Sequence, residues 1–223
     1  FSSGTRFVPE TTAETGSSRA PWSERLEARL LAGDGRGAWG VIEAAMAAGA
    51  STETVYLDIV APALRRIGAK WAAGELDIAS EHRATGIAFR LIGRLGPRFA
   101  RPGRSKGSIL IGTPPGERHS MPVAILADLL RNEGYEVFDL GADLPVEAFV
   151  QAVRTTPDLS AVGVSVTSAD CLGVAAELVQ AIHEAAPGVR VVVGGHAVTS
   201  DADAAALGAE WAPDAKSMVQ LLG

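Results

Sequence analysis

Apolar residues recur along the first half of the chain with a helical period. Leu26, Leu30 and Leu31 form one stripe and Trp39, Ile42, Ala45 and Met46 another, with Gly33, Gly35 and Gly37 breaking the two apart. A third helix is expected after Ser51, because Val60, Leu64, Ile67 and Trp71 fall on one face and Gly74 ends the run. Asp77 has the position of an N-cap for a fourth helix carrying Ile87, Leu91 and Leu95, stopped by Gly96-Pro97. Four such helices with short turns predict a small antiparallel bundle over residues 22–100.

After Arg101 to Gly107 the pattern changes. Short apolar runs at Ser108 to Gly112, Tyr135 to Leu140, Ala161 to Val166 and Val189 to Val193, with a weak one near Trp211, alternate with amphipathic segments. The latter lie around Ala124 to Asn132, Val146 to Arg154, Val174 to Glu184 and Ala202 to Leu207, with a last one after Asp214. Strands apolar throughout, with helices between them, predict a parallel sheet covered on both faces. The expected fold class is therefore α/β: a four-helix bundle cap, then a flavodoxin-like doubly wound five-stranded sheet over 107–223. Residues 1–21, rich in Ser, Thr, Gly and Glu, read as a linker or arm.

Composition narrows the function classes. With 47% apolar and 21% charged residues the 223-residue chain is neither disordered nor a disulfide scaffold, and its one cysteine, Cys171, has no internal partner. A reducing cytoplasmic setting is expected. No apolar run reaches bilayer-spanning length. The formal charge of −6 opposes nucleic-acid binding by this segment. Because the chain opens at Phe1, it is expected to be a processed chain or a piece of something longer.

Ligands of doubly wound sheets sit at the carboxyl ends of the strands. The first such loop reads Gly112-Thr113-Pro114-Pro115-Gly116-Glu117-Arg118-His119-Ser120. It lacks the glycine pattern of a dinucleotide fold and the acidic pair of a receiver domain. A carboxylate two residues before a histidine suits a metal ligand, since it can take the hydrogen of one ring nitrogen and leave the other free. A solvated histidine beside an unrelated glutamate is the alternative for the pair in isolation. The third strand ends in Ser165-Val166-Thr167 and the fourth in Gly194-Gly195, small residues and hydroxyls suited to walling a slot for a flat polar group.

These residues resemble the cobalamin-binding domain family, whose signature is D-x-H-x-x-G, about 41 residues, S-x-L, 26 to 28 residues, then G-G. Here Glu117-x-His119-x-x-Pro122 is followed by 42 residues, Ser165-x-Thr167, 26 residues and Gly194-Gly195. The resemblance implies that His119 is the lower axial ligand of cobalt and Glu117 its hydrogen-bonding support. Thr113, Gly116, Ser165, Val166, Thr167, Gly194 and Gly195 would line the slot for the displaced benzimidazole tail. Three letters depart from the pattern: Glu replaces Asp, Pro122 replaces Gly, and Thr167 replaces Leu, making the slot more polar.

In the bundle, Trp71 followed after nine residues by Glu81-His82 is similar to the W-x9-E-H mark of the CarH-type light-sensing group. On their own, Trp71 could be bundle core and Glu81 and His82 a solvated helix face. Under the resemblance, Trp71, Ile78, Glu81 and His82 enclose the 5′-deoxyadenosyl ligand of adenosylcobalamin. The expected function is then a photoreceptor module, a homo-oligomer and not an enzyme, in which photolysis changes assembly and controls an attached or partner effector. Ala72 stands where that group has its second cobalt-ligating histidine. A photocobilin-like second chromophore, biliverdin, is a further expectation. The alternative is a corrinoid methyl carrier of a methyltransferase system, and a third possibility is the cobalamin subunit of an isomerase.

Overall fold

The computed structural model describes residues 20–100 and 102–222. The expected arm over 1–21 falls almost wholly outside them. The first half holds α1 (Trp22–Leu31), α2 (Gly35–Ala47), α3 (Thr52–Thr54), α4 (Ala61–Ala72) and α5 (Ile78–Leu95). The three glycines expected to separate the first two helices do not act alike. Gly33, at φ 72°, makes the turn, while Gly35 and Gly37 lie inside α2. Asp34 caps α2 by accepting the Gly37 N–H at 2.8 Å. A Cβ on Gly37 would sit 2.1 Å from the Asp34 carboxylate, so glycine lets the capping side chain keep this position.

The third predicted helix is continuous from α3 to α4 but widens between them. Val55–Val60 forms a π-helical turn in which the Ala61 N–H reaches the Tyr56 carbonyl. Pro62, just beyond, has no N–H to return to Asp58, so this is where an α-helical ladder would be broken in any case. The turn carries Tyr56 into the interior, where it is fully buried beside Phe99. Leu26, Leu30, Ile42, Ile67, Ile87 and Leu91 share this core, as the helical stripes predict.

The second half holds β1 (Ser108–Gly112), α6 (Met121–Asn132), β2 (Glu136–Asp139), α7 (Val146–Thr155), β3 (Leu159–Ser165), α8 (Leu172–Ala185), β4 (Arg190–Gly194), α9 (Asp201–Ala206), β5 (Glu210–Trp211) and α10 (Ala215–Leu222). All pairings are parallel and the strand order is β2-β1-β3-β4-β5. This is the flavodoxin-like arrangement that alternating apolar strands and amphipathic helices lead one to expect.

Helix α6 begins earlier than its periodicity suggests, with Pro122 in its first turn, where a missing N–H costs nothing. It is apolar on two sides. Val123, Ala127 and Leu130 pack with Ile109 and Ile111 of β1, whereas Met121, Ile125 and Leu129 join the core of the helical half. One helix thus serves both cores and fixes the bundle to the sheet. Among the described residues no helix is long and apolar enough to cross a membrane.

Candidate functional site

The sheet order reverses at β1, which pairs with β2 on one side and β3 on the other. Chain segments leaving the ends of β1 and β3 therefore depart around a shared crevice, the usual ligand position in such sheets. The β1 segment carries Glu117 and His119, and the β3 segment carries Thr167 and Ser168.

Glu117 joins the two. Its side chain is 1% exposed. One carboxylate oxygen accepts the His119 backbone N–H at 3.1 Å and lies 2.5 Å from His119 Nδ1. The other accepts the N–H groups of Thr167 at 2.6 Å and Ser168 at 2.8 Å. Burial alone would push this carboxyl up; the N–H of Ser168, the His119 ring and backbone, and the N–H of Thr167 outweigh it, and the group sits below its ordinary value. A carboxylate kept charged can only accept. The hydrogen of a neutral His119 ring is therefore on Nδ1, and the Nε2 lone pair is free. The ring itself is 59% exposed, open to a ligand.

Several expected contact residues support the loop instead. Thr113 is fully buried; its hydroxyl donates to the Glu117 carbonyl at 2.6 Å and accepts the Asp143 N–H at 2.9 Å. Val166 is also fully buried. Thr113 thus braces the loop from beneath, and Val166 packs in the sheet core. Gly116, at φ 84°, gives its N–H to the Asp143 carboxylate at 2.8 Å. Asp143 itself adopts φ 58° and returns its N–H to Glu117 O at 2.9 Å. Asp143 and Ser168 were not among the residues singled out by the sequence. The only sequence hint of Asp143 is a Gly-x-Asp after a short strand, and Ser168 acts through its backbone, which leaves no side-chain signature.

Ser165 ends β3 in register with Gly194. The two glycines have an internal reason to be glycine. A Cβ on Gly194 would lie 2.5 Å from Ala212 O, and one on Gly195, at φ 102°, would lie 2.4 Å from Val166 O. Close approach of neighbouring backbone, beyond any clearing of a slot, requires them. Thr167 differs from its surroundings, because its hydroxyl is buried with no hydrogen-bond partner. Cys171 is packed in the sheet core, and its thiol is pushed up first by burial and then by the Glu117 charge, which makes it a weak nucleophile.

In the bundle, Trp71 and Ile78 are 47% and 58% exposed at the α4–α5 corner. Glu81 and His82, however, satisfy each other: His82 Nδ1 lies 2.6 Å from Glu81, whose second oxygen accepts the Thr85 hydroxyl at 2.7 Å.

Two family models for a B12 binding domain match the chain, one over residues 107–219 and the other over residues 22–95. The chain belongs to this family, and its cofactor is a corrinoid of the cobalamin type. It is 30% identical over 166 residues to a corrinoid protein of Desulfitobacterium hafniense, covering 70% of this chain and 74% of that one. It is 32% identical over 96 residues to the trimethylamine corrinoid protein of Methanosarcina barkeri, a match spanning 41% of this chain and 43% of the relative. Among solved structures, the monomethylamine corrinoid protein of Methanosarcina barkeri superposes with a TM-score of 0.77 over 90% of this chain and 96% of that one, at 18% identity, a likeness of fold.

These relatives overturn the light-sensing expectation. All three are corrinoid proteins, two of them named for methylated amines, and the motif that suggested a photoreceptor has a local explanation. Glu81, His82 and Thr85 form a surface hydrogen-bond group within one helix, which needs no adenosyl ligand to account for it.

Proposed function

We propose that this chain is a corrinoid methyl carrier, which holds cobalamin for partner methyltransferases and is not itself an enzyme. The observation that carries the reading is the Glu117 clamp on His119, at the switch point of a sheet that belongs to a B12-binding family. When bound, the cofactor supplies a cobalt centre that can take up and release a methyl group.

The residues present fit that cofactor. His119 offers one free ring nitrogen, and among the described residues no three His, Cys, Asp or Glu side chains gather as a metal-binding group. A single histidine holds a metal well only when the metal arrives already chelated, as cobalt does in a corrin. Glu117 fixes the tautomer and the ring direction. Trp71 and Ile78 present apolar surface suited to shielding a small, uncharged methyl group from water. The adenosyl group and biliverdin have no part in this reading.

The test compares methylcobalamin and adenosylcobalamin on the purified chain, with size-exclusion chromatography before and after green light. A carrier retains the methyl form at least as tightly as the adenosyl form and elutes unchanged after illumination. Strong preference for the adenosyl form together with a light-driven change in size would overturn the proposal.

A further inference from the structure

Every hydrogen bond and ion pair that Asp143 makes among the described residues goes to the segment from Thr113 to Arg118. Its N–H reaches Glu117 O and the Thr113 hydroxyl, both at 2.9 Å. Its carboxylate accepts the Gly116 N–H at 2.8 Å and lies 3.8 Å from Arg118 Nε. Asp143 thus grips the chain on both sides of the peptide bond that leads into Glu117. Packing does not account for the grip. The Asp143 side chain is 48% exposed, and its backbone stands at φ 58°, a left-handed conformation that aspartate tolerates better than most residues. The support beneath it is firm, because Thr113 N–H donates to Gly141 O, Gly141 N–H donates to the Asp139 carboxylate and Leu144 packs into the sheet core. The loop itself is poor in donors, since Pro114 and Pro115 have no N–H. Whatever loosens Glu117 also loosens the histidine, because among the described residues the His119 ring is held by the Glu117 carboxylate alone.

We propose that Asp143 is a positioning residue for His119: by fixing the backbone of Gly116 and Glu117 it holds the imidazole in a single orientation before the corrinoid arrives. The proposal rests on the carrier reading, in which His119 holds the cobalt. Asp143 acts through the loop and needs no contact with the cofactor. A ligand ordered in advance binds more tightly because the cost of ordering it is removed from the binding step.

The test is a double-mutant cycle read by absorbance titration with aquocobinamide, a corrinoid without a lower base. Asp143→Ala removes the carboxylate and disfavours the left-handed backbone, and should weaken binding about fivefold, the worth of one hydrogen bond. In the His119→Ala background the same change should have no effect, since no ring is left to orient, whereas general damage to the fold would lower affinity in both backgrounds. Asp143→Asn keeps an oxygen for the Gly116 N–H and tolerates the left-handed region, so it should bind as the wild type does. The free chain supplies a second readout. With 15N-labelled histidine in mildly alkaline buffer, two-bond proton–nitrogen spectra should show His119 as the Nδ1–H tautomer in the wild type and in Asp143→Asn, and as a mixture of tautomers in Asp143→Ala. An unchanged affinity or an unchanged tautomer in Asp143→Ala, or a loss that persists in the His119→Ala background, overturns the proposal and leaves His119 as the ligand. Equal affinities of the wild-type and His119→Ala chains overturn the ligand reading and this proposal together.

Discussion

Tyr56 and Asp128, 72 residues apart in the sequence, meet at 2.7 Å across the seam between the helical half and α6. The tyrosine hydroxyl has one hydrogen and two possible acceptors, the carboxylate and Ile92 O at 3.1 Å; the charged and closer oxygen is the stronger. Burial, and then the hydrogen bond and charge of Asp128, push the phenol above its ordinary range, so it remains a donor at any physiological pH. Arg131 completes the group by donating to Asp128 at 3.0 Å and to Val137 O of β2 at 3.0 Å. The π-helical turn of the bundle is thereby tied to an outer strand of the sheet.

Removing this hydroxyl should loosen the whole molecule. Tyr56→Phe leaves a buried carboxylate short of a donor, at a cost of about 1–3 kcal/mol. Urea unfolding followed by far-ultraviolet circular dichroism checks it, and the midpoint is expected to fall. An unchanged midpoint would mean that the bond contributes nothing net.

Glu117→Gln should act on the site more than on the fold. Both oxygens of the wild-type side chain face N–H donors, so an amide must turn its own NH2 toward one pair of them. The ring of His119 then loses its fixed direction. Corrinoid affinity is expected to fall about 10- to 100-fold, the usual effect of losing a ligand's hydrogen-bond support. Titration with cobalamin measures it, and an affinity matching the wild type would remove Glu117 from the account.

Acid should expose the same clamp. The Glu117 and Glu27 carboxyls are both held below their ordinary value of 4.5, Glu27 because Arg66 and Lys70 outweigh its burial. The unfolded chain therefore binds more protons across that interval, and stability rises with pH through it. The contribution is fully present above 4.5 and is lost as the pH falls through the folded values. Urea midpoints measured from neutral pH downward should show wild type and Glu117→Gln converging in acid. A gap that widens in acid would contradict the assigned sign.

Gly195→Ala should be poorly tolerated. The residue stands at φ 102° and an added Cβ would meet Val166 O at 2.4 Å. Backbone strain of this kind costs about 1–3 kcal/mol before the clash is counted. Thermal unfolding of the variant tests this, and a melting temperature equal to the wild type would show that the loop can shift freely.

The alternation of strands and helices was legible in the sequence because the inner strands β1, β3 and β4 are buried along most of their length and each covering helix has a period of its own. Glu117 and His119 were legible because they are two residues apart. Their clamp was not, since the N–H groups of Thr167 and Ser168 arrive from 50 and 51 residues away through the strand order. The double duty of α6 was not legible because an amphipathic period shows that a helix has a buried side, not that its apolar residues divide between two cores. Gly35 and Gly37 misled because glycine is tolerated in the first turn of a helix, and Gly37 lies there against the Asp34 carboxylate that caps it. Glu81 and His82 misled for a different reason: in a spacing shared with another group of proteins they pair with each other on the helix surface.

On the proposed reading, His119 Nε2 would be the atom through which the chain holds the cobalt. Electron paramagnetic resonance of the chain loaded with cobalamin and reduced to cobalt(II), with histidine either unlabelled or carrying 15N, tests it most directly. The account predicts an axial-nitrogen splitting that changes with the histidine isotope and disappears in His119→Ala. A splitting indifferent to the label would show that the benzimidazole nitrogen remains bound, and would contradict the claim.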